Sequence, residues 1–144
     1  MNSPRWMKIV LWILGAMGLI NGIAMFFAPA TWFFKMVPGV PETGPFNAHL
    51  VADSGTFFIA VGVGLVIAGF DPRRHVAAVI VAAIANLFHS ILHLYSHEAG
   101  LLSLEHLGTE VVGIYIPTLV LIAMAILLTR NSPRTDAVTT VRAA

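Results

Sequence analysis

The chain has 144 residues, 58% of them hydrophobic and 10% charged, with a net charge of +1 and a mean hydropathy of +0.85. Water-soluble domains do not have this balance; it belongs to a membrane protein, and the near-zero charge gives no electrostatic basis for nucleic acid as a partner. With no cysteine, disulfides, iron–sulfur clusters and thiolate metal sites are excluded, and any metal must be held by nitrogen and oxygen ligands.

A spanning helix needs about 20 mostly apolar residues, and four segments approach that length. The first covers residues 6–28 and is closed by Pro29. Arg5 and Lys8 ahead of an apolar run ending in "APA" also fit a secretory signal, but the run exceeds a usual signal core, and we read it as an uncleaved helix. It holds a GxxxG at Gly18 and Gly22, a packing pattern, and Asn21 in its outer half, for which the sequence gives no assignment.

"PATWFFKMVPGVPETGP", residues 29–45, is too short and too proline-rich to span. Trp32, Phe33 and Phe34 beside Lys35 predict a short helix lying in the headgroup region. The second span covers residues 46–70 and ends in a turn at Asp71 and Pro72, with small residues recurring at Ala60, Gly64 and Ala68 as a second packing seam. The third covers 73–97 and the fourth 109–128. The polar tail "NSPRTDAVTTVRAA" reads as disordered. Residues 1–130 are thus expected to form one all-α, transmembrane four-helix bundle with a short interfacial helix between spans one and two, followed by a cytoplasmic tail at 131–144.

Seven of the eight basic residues, Arg5, Lys8, Arg73, Arg74, Arg130, Arg134 and Arg142, fall on one side of a four-span topology, and Lys35 alone falls on the other. The positive-inside rule then places both termini in the cytoplasm, as in a multi-pass protein of the bacterial inner membrane. Residues 29–46 and 98–108 face outward.

The ionisable residues gather at that outer end. "HLVAD" puts His49 and Asp53 on one face of the second span, and "NLFHSILHLYSH" puts His89, His93 and His97 on one face of the third, about a turn apart. Glu110 opens the fourth span, after Glu105 and His106 in the loop, and His75 alone lies at the inner side. Charged groups are expensive in a bilayer and normally face the bundle interior, where they pair or bind something. Imidazoles with carboxylates on neighbouring helices suit zinc, copper, iron or manganese. The expected metal core is His49, Asp53, His89 and His93, with His97 and Glu110 as outer ligands and with Asn86 and Tyr115 orienting them. Haem held by histidines ranks below a non-haem ion, because Asp53 would stand inside its site. A proton-handling or polar-ligand pocket, or interhelical contacts that serve packing alone, are the alternatives.

"FAPATWFFKMVPGVPETGPFNAHLVADSGTFF", "NLFHSILHLYSH" and "EVVGIYIPTLV" together resemble a group of small bacterial four-helix membrane proteins, loosely DoxX-like, over about 100 residues. By that resemblance Asn47, His49, Asp53, Gly55, His89, His93, Glu110, Gly113 and Pro117 stand where the group carries its characteristic residues. Ala52 replaces a basic residue often found there, and Ser96 with His97 replaces a tryptophan–aspartate ending. The resemblance implies the fold and the place of the site, and no activity.

Three function classes follow. A membrane metalloprotein, an oxidoreductase or hydrolase acting on a lipid-soluble or periplasmic small molecule, leads. A small transporter would need polar residues in the cytoplasmic half, which is almost purely apolar, although four short helices could still transport as a homo-oligomer; an accessory subunit of a larger membrane complex would use the histidines structurally.

Overall fold

A computed structural model describes residues 3–130, so the expected disordered tail at 131–144 lies outside the described residues. Four long helices run up and down in sequence: α1 (Arg5–Phe27), α2 (Ala48–Phe70), α3 (Val76–Glu98) and α4 (Leu104–Arg130). All four are long and apolar enough to cross a membrane, and α1 to α3, at 23 residues each, measure about 35 Å. Their bounds fall within a few residues of those expected, because the stops are chemical. Asn47 caps α2 by accepting the Leu50 N–H at 3.1 Å, and Asp71 takes the N–H groups of Arg74 and His75 in the turn into α3. Phe57, Phe88, Leu119 and many other large apolar side chains are exposed, a surface that fits lipid.

α4 is not uniform. It starts as a 3-10 turn (Leu104–His106) and one α turn (Leu107–Glu110), widens into a π turn over Val111–Tyr115, and is regular from Ile116 to Arg130. Pro117 lacks an N–H and its ring crowds the preceding turn, and the wider turn gives it room.

α1 and α2 pack most closely. A Cβ added to Gly22 would stand 2.7 Å from the Gly55 carbonyl oxygen, and one on Gly15 would stand 2.9 Å from that of Gly62, so each backbone lies where the other's side chains would be. The seam therefore uses Gly15 and Gly22 against Gly55 and Gly62. Gly18 of the expected GxxxG meets α2 at an ordinary 3.4 Å. Of the expected second seam, Ala68 is fully buried, Gly64 faces Ala78 of α3 and Ala60 is exposed.

The main apolar core lies at the end of the bundle away from the long loops, where Leu11, Leu65, Val79, Ala82, Leu121 and Met124 interlock. A smaller knot of Met25, Phe33 and Val51 closes the other end. The expected interfacial helix is a single turn (Pro29–Thr31) continuing into a π turn (Trp32–Met36) that folds onto the bundle. Trp32 Nε1 donates to Asn21 Oδ1 at 2.8 Å, Phe33 is buried and Phe34 is exposed.

Gly22→Ala is expected to push α1 from α2 and lower stability by about 1–3 kcal/mol, the usual cost of overpacking. Gly108→Ala, with nothing within 4 Å of the added carbon, should leave the thermal midpoint in detergent unchanged. Equal midpoints for the two variants would refute the seam.

Candidate functional site

The histidine face of α3 turns into the bundle, toward the start of α4. Glu110, only 7% exposed, sits where the α turn of α4 gives way to the π turn. Both of its carboxylate oxygens are engaged: His97 Nε2 lies 2.7 Å from Oε2, and His93 Nδ1 lies 3.1 Å from Oε1. The first contact is a hydrogen bond and the second is an ion-pair contact off the hydrogen-bond direction, leaving His93 Nδ1 buried without a well-formed bond. The other nitrogen of His97 reaches the Leu102 carbonyl at 3.2 Å, tying the cluster to the loop above it.

His89 extends the row inward. Its ring meets His93 edge-on at 4.7 Å and Phe58 of α2 at 5.8 Å. The Tyr115 hydroxyl, one helical turn past Glu110, is buried near enough to the carboxylate to interact with it electrostatically, but it makes no well-formed hydrogen bond. Deeper still, Ser90 and Thr118 share a hydrogen bond of 2.8 Å between α3 and α4, and Thr118 also reaches the backbone oxygens of Asn86 and Ile114. The α3–α4 contact is therefore polar over several turns. Below it, between the same helices, lies an open crevice of about 180 Å³ lined by apolar residues, including Ile84, Leu87 and Ile126.

The expected six-residue metal set divides. His89, His93, His97 and Glu110 come together, whereas His49 and Asp53 stand on the far side of α2, paired with each other at 3.3 Å and with side chains 88% and 59% exposed. The reason is the glycine seam: Gly55 and Gly62 face α1, and a helix turns about 100° per residue, so Asp53, two and nine positions before them, points nearly the opposite way and His49, six and thirteen positions before them, points well away from the seam. Among the described residues no three histidine, aspartate or glutamate side chains are arranged to hold a metal ion. Asn86 does not orient the cluster either, since its side chain donates to the Ala82 carbonyl of its own helix.

Four participants escaped sequence reasoning: Ser90, Thr118, Glu42 and Ser103. Ser90 stands three residues before His93 on the third span and Thr118 eight residues after Glu110 on the fourth, which is same-face spacing. The others build a latch over the site. Glu42 Oε1 takes a 2.7 Å bond from His106 Nε2 and its other oxygen takes the Ser103 N–H at 3.3 Å, joining the two long loops. The His106 ring lies against Gly39, held at φ +84°, where a Cβ would stand 2.8 Å from the ring.

No family model matches the sequence, and neither a curated protein nor a solved structure matches it.

Two outcomes follow. Glu110→Ala, which strands two imidazoles, should lower stability in detergent by about 1–3 kcal/mol, the sum of two interhelical polar contacts, and Glu110→Gln should recover part of it; an unchanged midpoint in both would show that the contacts carry nothing. For the latch, the hydrogen bond from His106, supported by that from Ser103, holds the Glu42 carboxyl below its ordinary pKa. A carboxyl depressed in the folded state stabilises above its unfolded pKa of about 4.3 and loses that contribution as pH falls through the folded value. Hydrogen exchange of the Ser103 amide should therefore stay slow from neutral pH down to about pH 5 and be fast throughout in Glu42→Ala. An amide equally fast in both proteins would refute the latch.

Proposed function

We propose that this multi-pass membrane protein works through a membrane-embedded acid–base site: Glu110 with His93 and His97 holds and exchanges a proton, and His89 and Tyr115 present hydrogen-bonding groups to the polar part of a lipid-soluble small molecule. The observation that carries this reading is the buried Glu110 carboxylate with one imidazole on each oxygen. A carboxylate in so apolar a place needs a counter-charge, and one proton on either imidazole makes the trio neutral while leaving the second imidazole free to take another. Such a group can gain or lose a proton without moving a helix. The half-buried His89 and the Tyr115 hydroxyl beside Glu110, which makes no well-formed hydrogen bond, offer the ligand contacts. We place the loop-bearing end outside, since the basic residues cluster at the other end, and read the site as a pocket rather than a channel because the crevice below it is apolar.

Protein in lipid nanodiscs, with histidines labelled at nitrogen, should show by NMR one proton exchanging between the His93 and His97 rings through the Glu110 carboxylate. Glu110→Gln should abolish that exchange. Rings that each keep a fixed proton would leave the cluster a packing contact and remove the reading.

A second reading keeps the transition metal, reduced to His89, His93, His97 and Glu110. It is supported by the buried His93 Nδ1 without a well-formed bond, and it requires the imidazoles to rearrange around the ion, since among the described residues no three are arranged to hold one. It predicts about one zinc, copper, iron or manganese per chain after purification from membranes, lost in His93→Ala. Protein that stays metal-free after incubation with each ion decides for the proton.

A further inference from the structure

The two apolar cores differ in which helices they join. The large one takes side chains from all four, among them Leu11 of α1, Leu65 of α2, Val79 of α3 and Leu121 of α4. The small one, at the loop-bearing end, is built from the first half of the chain alone, since every residue in it lies between Met25 and Phe58. At that end the molecule is two helix pairs, each held within itself: α1 and α2 by the glycine seam and the small core, α3 and α4 by the Glu110–histidine contacts and the Ser90–Thr118 bond. What ties one pair to the other there is slighter. Phe58 meets the edge of the His89 ring at 5.8 Å, and Glu42, in the loop after α1, takes His106 Nε2 at 2.7 Å and the Ser103 N–H at 3.3 Å from the loop that opens α4.

We propose that this latch is a gate: the two helix pairs hinge on the large apolar core, and release of Glu42 from His106 parts them at the loop-bearing end and opens the Glu110 cluster to the aqueous phase. The latch is placed for that. Leu102, buried beneath it, packs where a Cβ on Gly39 would stand 3.3 Å from its side chain, and its carbonyl is the one that His97 Nδ1 reaches at 3.2 Å. The segment held down by Glu42 is therefore the segment that covers the cluster. The fastening is also weak beside the hinge: a carboxylate 45% exposed, bonded where water competes, against aliphatic side chains of four helices interlocked with almost no exposed surface. Glu42 and His106 belong to different pairs, so parting them costs neither pair an internal contact. A firm joint at one end, a weak tie at the other and a buried polar group between them is the arrangement of hinged closure, which shuts water out of a site until the tie is broken. The gate works alike whether the cluster carries a proton or a metal, and so rests on neither reading above.

The chain has no cysteine, so spin labels and thiol reagents report only on introduced positions. In lipid nanodiscs, labels on Leu50→Cys and Leu94→Cys, exposed near the loop-bearing ends of α2 and α3, should give a longer and broader distance distribution by pulsed EPR when Glu42→Ala is added. Labels on Ile67→Cys and Val81→Cys, exposed near the other ends of the same helices, should give an unchanged one. Gly39→Ala, which drives a carbon into the His106 ring, should move the outer pair of labels in the same direction. Phe58→Cys, facing His89 between the pairs, should react with a charged, water-soluble thiol reagent at least about fivefold faster with Glu42→Ala, the factor that losing one ordinary hydrogen bond applies to an equilibrium. Glu105→Gln, which removes a carboxylate of the same loop outside the latch, should leave that rate unchanged. An outer distribution that neither variant moves overturns the gate. So does an inner distribution that moves as much as the outer one, since that is loosening throughout and not a hinge. A longer outer distance without faster reaction at Phe58→Cys overturns the opening of the cluster to water.

Discussion

A carboxylate in an apolar setting must be neutralised or surrounded by donors, and Glu110 imposes that requirement on everything near it. Its two oxygens need partners from another helix, since its own backbone is occupied in the helix ladder. The partners come from α3, at positions four apart, the spacing that lets two side chains on one face reach either side of a single carboxylate. That fixes the rotation of α3 about its axis, and the buried Ser90–Thr118 bond, two turns deeper, fixes it again. Once α3 is oriented, its third histidine must fall on the same side, where it meets Phe58 of α2. The π turn immediately after Glu110 belongs to the same constraint, because it adjusts the rotation of α4 between the carboxylate above and Thr118 below.

The bundle thus uses different physics in different places. α1 and α2 are joined by backbone contact through glycines, which gives dispersion at short range and leaves no room for adjustment. α3 and α4 are joined by hydrogen bonds and the Glu110–histidine cluster at the loop-bearing end and by interlocked aliphatic side chains at the other. Rigid pairing on one side and polar pairing on the other leaves the protonatable groups where the helices have specific partners rather than merely close ones.

How much of this was legible in the sequence depends on which signal carried it. The four spans were, because hydropathy and the breakers at Pro29, Asp71 and Pro72 act locally. The inward histidine face was too, since three imidazoles on one helix face cannot all turn to lipid without cost. The placement of His49 and Asp53 was not, although their spacing is the same. Four-residue spacing says that two residues share a face and nothing about which face it is. The missing signal was Gly55 and Gly62, seven apart and pointing away from the polar pair. Reading Gly18 and Gly22 as the seam of α1 hid it, because the contact runs through Gly15 and Gly22 and takes α2's glycines with it. The latch was hidden for another reason: Glu42 and His106 are 64 residues apart, in loops whose paths no periodicity describes.

The row of three imidazoles is graded, and the grading bears on direction. His97 is bonded on both nitrogens, to Glu110 and to the Leu102 carbonyl of the loop beneath the Glu42–His106 latch. His93 shares the carboxylate but makes no well-formed bond with it, and His89 has only ring edges for company. Polar support therefore falls from the loop end inward, as it would for a group that takes its proton from the aqueous side and offers it toward the membrane interior. A set built only to hold two helices together has no need of that gradient: the deepest histidine, the most costly to bury, would be the one most firmly bonded. It is the least bonded of the three. Under the proposed reading His89 is where the ligand's polar group completes the row, and the apolar ring of Phe58 beside it suits a molecule arriving from lipid.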